Sequence, residues 1–344
     1  MTKILASDTA VSEKEPIIRL MHSSEAPLLL DLLRRCYQDS YFDSLYYDTK
    51  ALAEAIENCQ QYSMVAVNSE GEFVAHIALR NFQNSLTADT SMAIVDPRYR
   101  SNGLFVKMGA EMMPVYEQLG LCGLYLQAVT VHPHSQSSSL KGHAGVTGVY
   151  LNYIPVNTQF LAMEAAVKSD AENAEATPVV IMVQPLGVMP TRSIVWPTYY
   201  RSQIETAFEQ CNLRRDTVLA KNLAKKTLIR IDKKPRQKII NLWLDDIGDD
   251  WPSEFEIALK NIGADLESGD YSVIYLQLPL NQYLLDKLIE VAKAQDFFYA
   301  GVLPEYGKQD WLGMQKLDRS SVDPNSFYLV GDQSKKIFEF IMQD

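Results

Sequence analysis

The chain has 344 residues, which is longer than a typical single domain, so its length predicts two domains. Its composition, 47% hydrophobic and 22% charged, is typical of a globular protein in water. The formal net charge of −11 argues against a general nucleic-acid-binding protein, because affinity for phosphate needs clustered Lys and Arg. No apolar run reaches the length of about 18 residues that a membrane-spanning helix needs, and the first residues lack the apolar core of a signal peptide. We therefore expect a cytoplasmic protein without a membrane partner.

The four cysteines lie far apart and form no C-x-x-C pair; they are Cys36, Cys59, Cys122 and Cys211. Their apolar surroundings predict buried, reduced thiols rather than a disulfide framework or a zinc site. We expect no bound metal.

The first half predicts a strand, two helices, three strands, a helix, a strand, a short helix and a strand. Residues 1–15 are polar and are expected to be flexible. The predicted elements span residues 17–21, 26–40, 49–59, 62–68, 72–80, 88–95, 104–119, 123–131, 135–143 and 146–155. An inserted helix or linker is predicted at 155–177. A further strand at 177–186 could finish the first domain or begin the second.

The stretch from Ala88 to Met108 combines a strand, a short loop and an apolar helix. The loop contains Gly103, which would let backbone amides approach a ligand, and the following helix start adds partial positive charge. Arg98 and Arg100 lie beside it in the sequence. The pattern predicts an anion-binding cradle, although taken alone it also fits an ordinary β–α turn with surface arginines.

The order of elements over residues 17–185 and the hexapeptide that opens the helix resemble the GNAT superfamily of N-acetyltransferases. Its signature is a strand followed by R/Q-x-x-G-x-G/A. Here Arg100 and Gly103 match the first two fixed positions, and Phe105 stands at the third. The resemblance implies an acyl-CoA-dependent N-acyltransferase, most simply with acetyl-CoA as co-substrate. The acceptor would be an amine on a small molecule, a peptide or a protein.

In that superfamily the loop amides hold the pyrophosphate of coenzyme A, and the preceding strand, splayed from the next one, pairs with the pantetheine arm. By this resemblance Ile94 and Val95 would face the pantetheine. The residues around the pyrophosphate would be Arg100, Ser101, Asn102, Gly103, Leu104 and Phe105. Phe105 replaces a small residue at the helix start, which would loosen the packing around the phosphates.

The second half repeats a similar alternation of helices and strands, and its end resembles the C-terminal half of a GNAT unit. The predicted elements span residues 196–213, 227–232, 238–246, 251–263, 271–280, 281–295, 297–303 and 310–317. The predicted fold class is α/β, of the α+β kind: two GNAT-like units, each a mixed, largely antiparallel central sheet flanked by helices. We place the first, acyl-CoA-binding unit at 16–186 and a second, degenerate unit at 187–344.

The counterpart of the phosphate loop in the second unit is the acidic stretch Asp245 to Asp250. Its four carboxylates would meet a pyrophosphate at like charge, which costs energy. We infer that only the first unit binds acyl-CoA. The second unit would be scaffold, a wall of the acceptor site or the surface of a homodimer.

Acyl transfer to an amine needs a base for the ammonium and often an acid for the thiolate. The candidate bases are Asp89 and His76, which could equally be a solvated strand end and a core histidine. Related enzymes commonly place a tyrosine acid on the short helix after the fifth strand, where this chain has Ser139. Because a serine hydroxyl is a poor acid, His132, His134 or a water are further candidates, unless the two histidines are simply exposed in a loop.

Other residues offer weaker signals. Tyr125, Gln127 and Asn152 would line the acceptor side. The aromatic residues at 37–47 are predicted to pack the link between the first two helices, a region that borders the acceptor groove in this fold. Residues 214–238 contain ten Lys/Arg and two Asp, a local charge of +8, which favours a solvated helix and hairpin over a contact for an acidic partner or substrate.

The sequence therefore predicts an acyl-CoA-dependent N-acyltransferase in which an amine attacks the thioester directly. No Cys or Ser stands beside a base in a nucleophile pattern. The alternative is a non-catalytic CoA-binding sensor or interaction module with the same fold. That alternative is favoured by the missing tyrosine, by Phe105 and by the acidic second loop.

Overall fold

The computed structural model describes residues 15–81, 85–100, 103–161, 176–217 and 224–344. Its strands are β1 (Ile17–Leu20), β2 (Gln61–Val67), β3 (Phe73–Asn81), β4 (Thr87–Val95), β5 (Gly123–Val129), β6 (Gly145–Ile154), β7 (Thr177–Pro185), β8 (Arg192–Ile194), β9 (Arg215–Thr217), β10 (Leu228–Lys234), β11 (Ile239–Asp246), β12 (Val273–Pro279), β13 (Phe298–Tyr306) and β14 (Gln309–Lys316). Its α-helices are α1 (Ala26–Tyr37), α2 (Thr49–Glu57), α3 (Leu104–Glu111), α4 (Met113–Gln118), α5 (His134–Lys141), α6 (Arg201–Gln210), α7 (Trp251–Glu267), α8 (Leu285–Ala294) and α9 (Asp332–Gln343).

Twelve of these strands form one sheet, in the order β1-β2-β3-β4-β5-β7-β6-β13-β14-β12-β11-β10. Only the β4–β5 and β11–β12 pairs of this sheet are parallel, so the predicted mixed, largely antiparallel sheet is confirmed. The strand predicted at 177–186 is β7, which pairs with β5 and β6 and therefore belongs to the sheet of the first unit. Strands β8 and β9 form a separate small sheet.

The second unit repeats the strand arrangement of the first. Strands β3, β4, β5, β7 and β6 lie side by side in one half, and β10, β11, β12, β14 and β13 lie side by side in the other. In both halves a parallel pair is followed by an antiparallel hairpin whose second strand inserts next to the pair. The sheet therefore contains an internal repeat of one strand arrangement, consistent with the two similar units that the sequence predicts.

The two units join where β6 meets β13, and glycines on both strands allow the contact. Gly301 pairs with Gly148 in antiparallel orientation. A Cβ on Gly148 would lie 2.7 Å from the Ala300 carbonyl oxygen, and one on Gly301 would lie 2.4 Å from the Gly148 Cα. No side chain fits at either position, so the join depends on both glycines.

Helices cover both faces of the sheet. In the first unit α1 and α2 pack on one face and α3 and α4 on the other, each pair over its own buried cluster. Asp48 is the N-cap of helix α2, and its carboxylate accepts hydrogen bonds from the backbone amides of Lys50 and Ala51. In the second unit α7, α8 and α9 share one large cluster with α6. Among the described helices none is long and apolar enough to cross a membrane.

Two predictions about local structure are wrong, and one helix was missed. The helix predicted at 104–119 is two helices, because Pro114 lies in the first turn of α4 and cannot donate the amide that a continuous helix needs. The C-terminal helix α9 was not predicted. The thiol of Cys59 is exposed and that of Cys122 is partly exposed, whereas Cys36 and Cys211 are buried as expected. The predicted insertion lies largely at 162–175, outside the described residues.

Candidate active site

Strands β4 and β5 separate along their length. They pair in parallel only from Thr87 to Thr90 of β4, opposite Gly123 to Leu126 of β5. Beyond this point β4 continues to Val95, paired with β3, and β5 continues to Val129, paired with β7. The facing backbone edges of the two strands are therefore left open to a ligand between them.

A bulge in β4 lies beside this opening. Ala78 of β3 pairs with Ser91 and His76 pairs with Ile94, so β4 carries one extra residue there, and Met92 has a positive φ of 43°. The His76 Nδ1 lies 2.9 Å from the Met92 carbonyl oxygen. Burial lowers the pKa of His76 to about 4, so its ring is neutral at pH 7. His76 thus supports the bulge and does not line the cavity described below.

The start of α3 provides open backbone. Gly103 precedes the helix with φ 69°, and a Cβ added to it would meet nothing within 4 Å. No described side chain caps this helix start. Leu104 is buried against the sheet, whereas Phe105 is 38% exposed. Ser101 and Asn102 lie outside the described residues.

The two arginines of the loop are held by protein groups. The Arg100 guanidinium donates to the carbonyl oxygens of Val95 and Leu161. The Arg98 guanidinium pairs with Asp96 and Glu72. Burial alone would raise the pKa of Asp96, but hydrogen bonds, first from Arg98 and then from Arg35, hold it at about 2. Arg98 therefore contributes to the stability of the loop as the partner of a permanently charged carboxylate.

The pantetheine residues that the sequence predicts differ in their placement. The Ile94 side chain is buried in the cluster beneath α1, and Val95 packs toward α3. Neither side chain lines the cavity. What both residues present toward the gap between β4 and β5 is backbone.

A cavity of about 230 Å³ extends from the gap between β4 and β5 toward the second unit. Its wall contains aromatic side chains together with two carboxylates and two cations. Among the lining residues are Tyr37, Tyr41, Phe42, Asp43, Arg80, Asp89, Gln127, His132, Ser135, Tyr153, Phe160, Lys234, Gln237 and Tyr306. A concave site with few, convergent polar groups is the usual form of a small-molecule site.

Asp89 is the carboxylate in this wall that can accept a proton. Its Oδ1 is buried and has no hydrogen-bond partner among the described residues, and its Oδ2 accepts a long hydrogen bond of 3.4 Å from the Tyr306 hydroxyl. Burial raises the pKa of Asp89 to about 6, against the opposing effects of Arg80, Lys234 and Tyr306. Asp89 is therefore mostly ionised at pH 7 and still basic enough to take a proton. The other carboxylate, Asp43, is paired with Arg80.

The second unit supplies part of the same wall. Lys234 ends β10, Gln237 lies in the following turn, and Tyr306 ends β13. The turn is fastened to the first unit by Arg236, which donates to the Asp39 carbonyl oxygen and lies 4.7 Å from the centre of the Tyr47 ring. Sequence patterns missed Lys234, Gln237 and Tyr306, because each reaches the cavity only through the pairing of the two units.

The candidate acids of the sequence occupy three different environments. His132 is 8% exposed and lines the cavity, and burial, aided by His134 and Arg100, lowers its pKa to about 4. His134 is exposed beside it, with 5.4 Å between the ring centres. The Ser139 hydroxyl donates to the Ser135 carbonyl oxygen of its own helix, and Ser135 is the serine that lines the cavity. Of these three residues, His132 is the one that lines the cavity.

Other predicted residues contact the cavity indirectly. Gln127 lines it and accepts from the Tyr153 hydroxyl at 2.7 Å. The Tyr125 hydroxyl is turned to the Pro304 carbonyl oxygen, and the buried Asn152 Oδ1 has no partner among the described residues. In the aromatic link at 37–47, Tyr37 and Tyr41 pack on each other and also line the cavity.

The basic stretch 214–238 is dispersed in the fold. Arg215 is buried against Glu305 and Asp310, and Lys233 pairs with Asp265. Residues 218–223 lie outside the described chain. A contact with an acidic partner stays a prediction.

Known proteins were compared with the chain by sequence and by structure. No family model matches the sequence, and no curated protein matches it. The solved structures to which the chain is similar include N-acetyltransferases. A GNAT-family acetyltransferase from Streptococcus pneumoniae is 17% identical, with a TM-score of 0.40 over 49% of this chain and 99% of its own. The ribosomal-protein-S18-alanine N-acetyltransferase from Escherichia coli is 12% identical, with a TM-score of 0.38 over 51% of this chain and 96% of its own. An aminoglycoside 6'-N-acetyltransferase complexed with coenzyme A is 16% identical, with a TM-score of 0.37 over 51% of this chain and 99% of its own.

Proposed function

We propose that the protein is an acetyl-CoA-dependent N-acetyltransferase whose general base is Asp89. The observation that carries the proposal is a buried carboxylate with one oxygen free among the described residues, in the wall of a cavity that begins where β4 and β5 separate. Its raised pKa of about 6 suits removal of a proton from an ammonium near neutral pH.

The chain has a suitable place for coenzyme A. The space at Gly103 and the start of α3, which no described side chain caps, fit a pyrophosphate, which backbone amides would hold together with the positive end of the helix. Ser101, Asn102, Leu104 and Phe105 belong to the same proposed cradle, with Arg100 beside it. The edge of β4 beyond Thr90, at Ile94 and Val95, would hold a pantetheine arm by backbone hydrogen bonding, although the Val95 carbonyl oxygen already accepts from Arg100. When bound, acetyl-CoA supplies the activated acyl group.

The residues of the cavity would have separate roles in the acyl transfer. Asp89 takes the proton of the acceptor ammonium, so that the neutral amine can attack directly. Backbone amides at the β4 bulge are in position to polarise a carbonyl group in the gap. Tyr37, which packs on Phe160, is the candidate proton donor to the leaving thiolate. His132 packs on the same ring, and because it is neutral it would give the thiolate a hydrogen bond rather than a proton. The second unit closes the acceptor side with Lys234, Gln237 and Tyr306.

Release of free thiol from acetyl-CoA, measured across a panel of amines, tests the proposal. Thiol release that requires an amine, together with a mass increase of the amine by one acetyl group, is the expected result. Tight binding of acetyl-CoA without release from any amine would contradict the proposal and support a CoA-binding sensor.

A further inference from the structure

Four charged side chains line the cavity, two positive and two negative, so their charges sum to zero. Asp43 and Arg80 form an ion pair, which leaves Asp89 and Lys234 as one charge of each sign. His132 is neutral at pH 7, and burial raises the pKa values of the lining tyrosines, so these groups are uncharged. With Asp89 ionised, the wall is therefore electrically neutral before an acceptor enters.

Lys234 differs from the other cations of its hairpin. Arg230 pairs with Asp245, Lys233 pairs with Asp265, and Arg236 rests on the Tyr47 ring. Among the residues that the structure describes, Lys234 has no carboxylate within ion-pair distance. Its pKa is raised, with Tyr153 the largest contributor and Asp232, Asp89 and Asp43 adding to it against the effect of burial, so the ammonium is charged at neutral pH.

An acceptor that brought only an ammonium would leave an uncompensated positive charge in this enclosed space, and a polyamine would leave several. Unbalanced charge in a water-poor site is costly, whereas an acceptor with one charge of each sign keeps the cavity neutral. We propose that the acceptor carries a carboxylate as well as the amine, with the carboxylate on the Lys234 ammonium and the amine facing Asp89. This inference rests on the proposed function, because it assigns the substrate class of the same site.

The proposal gives the second unit a defined task. Lys234 is held in the cavity wall because its turn is anchored on the first unit through Arg236, and because the neighbouring Gln237 is buried and donates to the Tyr153 carbonyl oxygen. A charged group on an anchored hairpin can select between acceptors that differ only in a carboxylate. Matched molecules of that kind are therefore the decisive probes.

The test measures binding to the full chain saturated with coenzyme A, by calorimetry, so that it does not depend on turnover. The probes are lysine and cadaverine, arginine and agmatine, β-alanine and β-alaninamide, with spermidine as a polycation. We expect the carboxylate-bearing member of at least one pair to bind about tenfold or more tightly than its partner, as befits one charged hydrogen-bonded contact. Equal affinities, preference for spermidine or for the members without a carboxylate, or no binding by any probe would overturn the proposal.

Variants at Lys234 assign the preference to the residue. Lys234→Glu should reverse the preference, Lys234→Gln should abolish it, and the control Lys233→Gln, which changes an exposed lysine outside the cavity, should preserve it. The Gln variant keeps the test valid if the Glu variant does not fold. An unchanged preference in Lys234→Gln would overturn the assignment.

The two proposals fail in different ways. Carboxylate-selective binding without thiol release from acetyl-CoA would refute the acetyltransferase and leave this inference standing. Thiol release driven by cadaverine or spermidine, at equal rates in wild type and Lys234→Gln, would support the acetyltransferase and refute this inference.

Discussion

The two units repeat one arrangement of strand, turn and helix, yet among the described residues the helix start is open in the first unit and covered in the second. At Gly103, before α3, an added Cβ would meet nothing within 4 Å. At Gly248, between β11 and α7, an added Cβ would lie 2.7 Å from the Lys226 carbonyl carbon and 2.8 Å from its Cα. The segment 224–227 therefore occupies the place in the second unit where the first unit has space.

The closure of the second turn is built from specific contacts. The Ala224 amide donates to the Ile247 carbonyl oxygen, and the Thr227 amide and hydroxyl both donate to the Asp250 carboxylate. The acidic sequence suggested that charge repulsion would keep phosphate away. The contacts show that at least one of these carboxylates, Asp250, instead fastens a segment of chain over the turn. The two helix starts therefore differ for two reasons: the second turn carries like charge, and segment 224–227 fills the space beside it.

The largest expected effect concerns the face of the sheet opposite α3. On this face the first unit has Asp89 and the second unit has Trp243, and both side chains contact Tyr306. Asp89→Asn removes the proposed base without a change in size. We expect kcat to fall about 100-fold or more, because this is the usual contribution of a general base, while acetyl-CoA affinity is unchanged. Thiol-release kinetics and calorimetry measure the two quantities.

Asp249→Asn is the matched control, since Asp249 is exposed in the second turn. It should leave both quantities as in wild type. Equal kcat in wild type and Asp89→Asn would remove the functional difference between the two faces.

The next prediction is the pH dependence of the reaction. Because Asp89 must be ionised to act and burial raises its pKa to about 6, kcat/KM should rise with pH and level off above that value. At pH 5 it should be about one tenth of the plateau, since activity follows the ionised fraction. A profile without this limb in wild type would exclude Asp89 as the base.

The raised pKa of Asp89 makes activity increase with pH, but it makes the stability of the folded protein decrease with pH. The folded protein holds the Asp89 proton to a higher pH than the unfolded chain does, so the stability of wild type relative to Asp89→Asn should fall as pH rises from about 4 to about 6. Denaturant unfolding at several pH values measures the difference. A difference that is constant across this window would contradict the raised pKa.

A smaller effect is expected at the open helix start. Gly103→Glu would place a carboxylate where the pyrophosphate should lie, in a left-handed backbone conformation that a side chain tolerates poorly. We expect acetyl-CoA affinity to fall about tenfold or more, by the loss and reversal of one charged contact. Gly109→Glu, which makes the same charge change within α3, should have little effect. Equal affinity in Gly103→Glu and wild type would disprove the cradle.

Local patterns predicted most of the first unit and part of the site. Alternating apolar residues predicted β2, β3 and β4 to within one residue at either end, since one face of each strand is buried. The position of Asp89 on β4 was predictable in the same way. Its raised pKa was not, because burial results from the closure of the cavity by Tyr306 and the rest of the second unit.

Long-range assembly explains what the sequence did not predict. Lys234 comes to the cavity only because Gly148 and Gly301 let the two units share one sheet and because Arg236 anchors the turn. Neither glycine stands in a turn motif, so local reasoning gives them no weight. Charge patterning in 214–238 was visible, but the separate positions of its cations depend on tertiary contacts.

The smallest expected effect tests the closed turn itself. Gly248→Ala forces a Cβ into the backbone of Lys226, and we expect it to lower the free energy of unfolding by about 1–3 kcal/mol, the usual cost of overpacking. Gly263→Ala lies in the helix that follows, with nothing within 4 Å, and should stabilise the protein by about 0.5–1 kcal/mol because alanine favours a helix. Both variants should bind acetyl-CoA as wild type does, since the donor site lies in the first unit. Denaturant unfolding separates the two signs, and a Gly248→Ala variant as stable as wild type would show that the second turn is not closed by segment 224–227.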